Sequence, residues 1–126
     1  MKTLLTLLFS LSLFAQNEWY FNYYQAKKVA LEHNKLMIVV MRTIGCPYCE
    51  KFINRTLMHP KVKKELENYV VVLIEHYKVG TYPKHLEVIR DPITFKIDPH
   101  TDEYDMEIIG YVDVDKFLDE LHFDVE

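Results

Sequence analysis

The stretch Leu36-Met37-Ile38-Val39-Val40-Met41-Arg42-Thr43-Ile44-Gly45-Cys46-Pro47-Tyr48-Cys49 decides how this chain folds. Its first six residues are a continuous apolar run rich in β-branched side chains, which reads as a buried strand. The two cysteines are the only ones in the chain and stand with two residues between them, the layout of a dithiol redox centre at a strand-to-helix turn. Pro47 fits the first position of a helix, where a missing N–H costs nothing. Cys46 then sits just before that helix, beside unpaired N–H groups and the positive dipole end, which favour thiolate over thiol. Cys46 is therefore the candidate nucleophile.

Outward from this turn, helical spacing is visible over 19–34 in Tyr20, Tyr23 or Tyr24, Lys27, Val29 or Ala30 and Leu31, with Asn34 at the end. A strand is expected over 36–42 and a helix over 47–58, with Tyr48, Phe52, Ile53 and Leu57 available to face the sheet. Pro60 starts a second helical piece over 60–68. Residues 69–76, dense in Val and Ile, read as a second buried strand. Residues 78–90 read as a loop with a short helix over 83–89. A strand over 93–97, turn chemistry at Asp98-Pro99-His100-Thr101-Asp102 and a strand over 103–111 predict a hairpin. Asp113 caps a final helix whose Val114, Phe117, Leu118 and Leu121 share one face. The fold class expected is α/β.

At the other end, Met1-Lys2-Thr3 leads into an apolar stretch over 4–14 and then Ala15, the pattern of a secretory signal peptide. About 11 apolar residues are too few to span a bilayer, which needs roughly 20. The expectation is a signal over 1–15 and one domain over 16–126, exported to the periplasm or otherwise secreted, with no stable membrane insertion. Without residues 1–15 the chain keeps 14 basic against 19 acidic residues, a net charge of −5, which argues against nucleic acid or an anionic membrane as partner. About 110 residues suffice for one modest core, and only three glycines and no Ser/Pro-rich stretch leave no visible linker.

The element order, with a Cys-x-x-Cys turn after the first strand, resembles the thioredoxin fold over nearly all of the chain beyond residue 15. Tyr24, Ala26 and Ala30, the Gly45-Cys46-Pro47-Tyr48-Cys49 turn, His59-Pro60-Lys61-Val62 and Tyr69-Val70-Val71-Val72 look like exported thioredoxin-related proteins. The resemblance implies a central mixed β-sheet flanked by helices and a thiol-disulfide oxidoreductase activity. It also implies a cis-proline directly before the hairpin, packed against the cysteines, and Pro92 in Asp91-Pro92-Ile93-Thr94-Phe95 is the matching residue. In that arrangement Asp91 exposes its backbone beside Cys46 to pair with an extended substrate, while Pro47 and Tyr48 flank the same place.

The chemistry follows from position: Cys46 attacks a substrate disulfide as thiolate, and Cys49, one turn deeper, resolves the mixed disulfide. The competing reading is a structural disulfide, but a bridge across two residues closes too short a loop to restrain much chain entropy. Two departures from thioredoxin bear on the mechanism. Thioredoxin's buried aspartate, the proton acceptor for the resolving cysteine, corresponds to Val40, and its tryptophan before the first cysteine to Gly45. Proton transfer from Cys49 must then use another group or water, with Glu50 the nearest candidate by sequence and Glu75, on the next strand, the second. Arg42, Lys51 and Arg55 lie near the turn as candidates to stabilise a thiolate.

Pro47-Tyr48 matches the pair between the cysteines of many glutaredoxins, whose potentials lie around −200 to −230 mV, between thioredoxin and the strong oxidant DsbA. A glutathione site needs a Thr-Val-Pro segment with basic flanks, whereas Arg90-Asp91-Pro92 stands here and Asp91 would repel a glutathione carboxylate. The substrates expected are protein disulfides or dithiols. No histidine lies between the cysteines to stabilise the thiolate as in DsbA-like oxidants, so the reading is a reductant or isomerase rather than a bulk oxidase, fed by a membrane thiol-relay protein, acting as a monomer and without a cofactor. The alternatives are a disulfide-forming oxidase and a non-catalytic module whose thiolates hold a soft metal or cluster. For the latter, two cysteines supply few ligands, and the six scattered histidines complete no zinc spacing with them.

Overall fold

The computed structural model describes residues 19–123, so the segment read as an export signal lies outside the described residues. Four strands, β1 (Met37–Arg42), β2 (Val70–Glu75), β3 (Ile93–Ile97) and β4 (Tyr104–Ile109), form one sheet in the order β2-β1-β3-β4. β1 and β2 are parallel, and the other two pairings are antiparallel. Helix α1 (Tyr23–His33) lies on one face. On the other lie α2 (Pro47–Lys51) with its continuation over Phe52–Leu57, α3 (Pro60–Leu66) and α4 (Val114–Leu121). This is the central mixed sheet flanked by helices that the sequence led us to expect.

The two-residue period of the strands sorts the core. Met37, Val39, Met41, Val70, Val72, Ile74, Ile93, Phe95 and Ile97 pack with Tyr23, Ala26 and Ala30 of α1, while Ile38, Val40, Val71 and Leu73 pack with Phe52, Ile53, Leu57, Leu66 and Phe117. β1 and β2 are covered on both sides, so they carry unbroken apolar runs rather than alternation. β4, at the edge, alternates with only Met106 and Ile108 buried.

Three elements differ from expectation. The first helix starts at Tyr23 instead of residue 19, because Asn22 caps it by accepting from the Gln25 N–H. Tyr20 is drawn instead to the outer edge of β2, where its N–H donates to the Val71 carbonyl and its carbonyl accepts from the Leu73 N–H, both at 2.8 Å. The helix over 47–58 widens into a π-turn at Phe52–Leu57, with the Met58 N–H reaching back to Ile53. That turn holds Phe52, Ile53, Thr56 and Leu57 buried together, and Thr56 ties it down by donating to the Val112 carbonyl at 2.6 Å. Tyr48, expected to face the sheet, is 64% exposed. The short helix over 83–89 does not form. A single turn closes between Pro83 and Leu86, whose side chain plugs the α1 face of the core.

Candidate active site

β1 delivers the chain to a bend at residues 43–45 and then to Cys46. Gly45 has φ +85°, a left-handed conformation that only glycine adopts freely. A Cβ there would meet open space, so the backbone angle and not crowding calls for glycine. The Cys46 N–H donates to the Thr43 carbonyl at 3.3 Å, and the Cys46 carbonyl accepts the first helical bond from Glu50 at 3.1 Å. Cys46 is the cap residue of α2, with Pro47 at the helix start and the Cys46 Sγ accepting from the Cys49 N–H at 3.2 Å. Its sulfur thus takes one of the helix's unpaired donors. Both cysteines are free thiols, Cys46 half-buried and Cys49 fully buried.

Burial pushes the Cys49 thiol up to about 12, and the hydrogen bond and charge of Cys46 and the charge of Asp91 push the same way, against the Thr43 backbone N–H. Cys49 is therefore a neutral thiol at physiological pH. It must lose its proton to a base before it can attack.

Asp91 stands across from the turn, its peptide bond to Pro92 cis, as the resemblance implies. The Pro92 carbonyl accepts from the Gly110 N–H at 2.7 Å, fixing the start of β3 against the end of β4. The Asp91 side chain is 13% exposed. Its Oδ2 accepts a hydrogen bond from the Thr43 hydroxyl and lies 2.7 Å from His76 Nδ1, which in turn lies 2.9 Å from the Thr43 Oγ1. Thr43 has a single hydrogen and gives it to the carboxylate, so Nδ1 carries the hydrogen for its own two contacts. The other carboxylate oxygen, Oδ1, is buried and has no hydrogen-bond partner among the described residues. Beside the cluster an open groove of about 530 Å³ is lined by Tyr48, Arg90, Asp91, Ile109, Gly110 and Tyr111. Tyr48 and Ile109 present exposed apolar surface there.

The residues nominated from sequence fall as follows. Cys46, Pro47, Tyr48 and Cys49 form the turn, and Asp91 and Pro92 lead into β3 from the facing loop. Tyr48 and Asp91 share the groove. Glu50 is an exposed side chain 3.8 Å from Arg42. Glu75 is engaged by the Tyr77 hydroxyl at 2.6 Å and Lys78 at 3.2 Å, and those hydrogen bonds hold its carboxyl below the usual range. Lys51 lies over the Tyr111 ring, 4.5 Å from its centre, and Arg55 is exposed on the π-turn. The carboxylate whose charge acts on Cys49 is that of Asp91. Sequence reasoning cast Asp91 as a backbone contact and as a charge that repels glutathione, and left Thr43 and His76 out. The available signal was the aspartate itself, placed before the proline that the resemblance sets beside the cysteines.

The sequence profile of the thioredoxin-like domain matches residues 23–123, from the start of α1 to just past α4. The chain belongs to the thioredoxin-like domain family. Among solved structures, this thioredoxin-like domain is similar to a thioredoxin from Thermus thermophilus, with 22% identity over 83% of this chain and 85% of that one and a TM-score of 0.65. It is also similar to the oxidised C-terminal domain of DsbD from Neisseria meningitidis, with 16% identity over 81% of this chain and 95% of that one and a TM-score of 0.62. A third likeness is to the oxidoreductase DsbH, at 12% identity, 83% and 82% coverage and a TM-score of 0.62. At these identities the likeness is one of fold. Among curated proteins no sequence matches the chain. The family and the paired cysteines support thiol-disulfide oxidoreductase activity. Among the described residues, no three His, Cys, Asp or Glu side chains gather as a metal set, and no helix is long and apolar enough to cross a membrane.

Proposed function

We propose that this thioredoxin-like domain exchanges disulfides with protein thiols through Cys46 and Cys49, working as a reductant or isomerising factor rather than a bulk oxidase. The observation that carries the reading is the asymmetry of the pair. A half-buried sulfur caps a helix at the surface, and a fully buried neutral thiol waits one turn behind it. The Cys46 thiolate attacks one sulfur of a substrate disulfide, and the other substrate sulfur leaves as a thiolate. Cys49 then loses its proton and attacks Cys46, which breaks the mixed disulfide and releases the second substrate sulfur. Two electrons pass from the dithiol to the substrate. The groove between Tyr48 and Ile109 offers apolar surface for the chain around the substrate cysteine.

Direction rests on the absence of a histidine between the cysteines, and export on the charged start, short apolar run and Ala15. A reductant in an oxidising compartment must be recharged, which calls for a membrane thiol-relay protein as electron donor, and the domain acts on its substrates as a monomer. The test is reduction of insulin disulfides by the protein without residues 1–15. Cys46→Ser should abolish turnover and Cys49→Ser should trap a mixed disulfide; turnover retained by Cys46→Ser would sink the proposal. For export, the protein recovered from the periplasmic fraction should have lost about 15 residues by mass, the length of the signal pattern, and a full-length mass would contradict it.

A further inference from the structure

The resolving thiol is buried and neutral, and Val40, on the strand where thioredoxin keeps its acid, is packed wholly in apolar side chains. The base must come from elsewhere. Sheet register shows where: β1 and β2 pair in parallel through Arg42 and Glu75, so the next residues, Thr43 and His76, fall side by side. β1 and β3 pair antiparallel through Met41 and Ile93, so Pro92 falls opposite Arg42 and Asp91 opposite Thr43. His76, Thr43 and Asp91 therefore stand in a row just past the end of three adjacent strands, at the end where the chain turns into Cys46.

We propose that Asp91 is the proton acceptor for Cys49, directly or through one water, with Thr43 and His76 fixing the carboxylate. The proposal rests on the exchange reaction above. Its geometric basis is the division of labour between the two carboxylate oxygens. Thr43 and His76 both engage Oδ2, which orients the group and leaves Oδ1 buried and without a partner among the described residues. A buried carboxylate oxygen left unpaired is costly, and taking a proton removes that cost while it creates the Cys49 thiolate. The direction of the Cys49 perturbation agrees, since the Asp91 charge raises that thiol.

The step balances. The Cys49 S–H proton passes to Asp91 Oδ1, and the sulfur electron pair forms the Cys46–Cys49 bond. The bond from Cys46 to the substrate sulfur breaks, and that sulfur leaves as a thiolate that takes a proton from water. The proton on Asp91 is then released to water, and His76, 34% exposed and donating its Nδ1–H to Oδ2, favours the return to carboxylate. The titratable groups facing Asp91 are Cys49 from α2, His76 beyond β2, and Arg90, Tyr48 and Tyr111 around the groove.

The experiment is stopped-flow reaction of the reduced protein with 5,5′-dithiobis(2-nitrobenzoate), whose thiolate product absorbs in the visible. The first equivalent reports attack by Cys46 and the second reports resolution by Cys49. Asp91→Asn should lower the ratio of second-phase to first-phase rate by about 10²-fold at pH 7, the low end for loss of a general base. In the parent the second phase should slow in acid through a one-proton limb that Asp91→Asn lacks, a change that loss of packing alone does not produce. A ratio within threefold of the parent, or an unchanged acid limb, would overturn the proposal. If circular dichroism shows Asp91→Asn unfolded, Thr43→Val and His76→Gln take its place: a reduced ratio supports the role, and an unaltered ratio in both overturns it. A parent that releases no thiolate at all contradicts the exchange reaction itself, which is a separate and recognisable failure.

Discussion

Alkylation should separate the two cysteines sharply, and the size of the separation follows from their surroundings. A free cysteine, with an ordinary value near 8.5, is about one-quarter thiolate at pH 8. Cys49, pushed up to about 12 by burial and by its neighbours, holds on the order of 10³-fold less thiolate at that pH. Because the thiolate is the reacting species, iodoacetamide should modify Cys49 in the folded protein about 10³-fold more slowly than in 8 M urea, and full burial of the side chain lowers access further. Cys46, half-buried at the helix start, should be labelled first. The assay is timed labelling of the reduced protein, an acid quench and fragment mass spectrometry of the peptide that carries both cysteines. Labelling of Cys49 ahead of Cys46, or within about tenfold of its rate in urea, would refute the reasoning from burial to protonation state to order of attack.

Two further outcomes concern the frame around the site. Asp102 accepts from the Tyr23 hydroxyl at 2.6 Å and from Lys27 at 2.8 Å, joining α1 to the β3–β4 turn. Asp102→Ala should cost about 2–3 kcal/mol at pH 7 in urea unfolding. Burial opposes ionisation of this carboxyl, yet the Lys27 and Tyr23 hydrogen bonds outweigh it and hold the group below its usual range. Its contribution is therefore complete above about pH 4 and lost as pH falls through the folded value, so the gap between variant and parent should shrink at pH 3; an equal gap at both pH values would contradict this. Gly45→Ala should cost about 1–2 kcal/mol through its left-handed backbone alone, since the space there is open, and a variant as stable as the parent would show that the turn relaxes.

What was legible in the sequence was whatever depends on near neighbours. The apolar run at 36–41, the proline after Cys46 and the cap at Asp113, which accepts from the Lys116 N–H, each carry their own local cause, and the structure has them as read. The start of α1 was blurred because Trp19, Tyr20 and Phe21 fit a helix by composition, and only the open edge of β2 pulls Tyr20 away from it. The π-turn was invisible because its anchor, Thr56 on the Val112 carbonyl, joins residues 56 apart. For the site, Cys46 and Cys49 announce themselves by spacing. The row of His76, Thr43 and Asp91 exists only once three strands are in register, and no local pattern marks a histidine that follows one strand as the neighbour of an aspartate that precedes another. Glu50 and Glu75 were nearer in sequence or strand order, but an exposed helix position and the Tyr77 and Lys78 side chains engage them elsewhere.

The reduction potential of the Cys46/Cys49 couple tests the central claim most directly. Equilibrating the protein in graded glutathione buffers and quantifying trapped thiols gives it. A dithiol that donates electrons to protein disulfides should lie at about −250 mV or lower, close to thioredoxin. A value near −120 mV, that of a strong oxidant, would contradict the account.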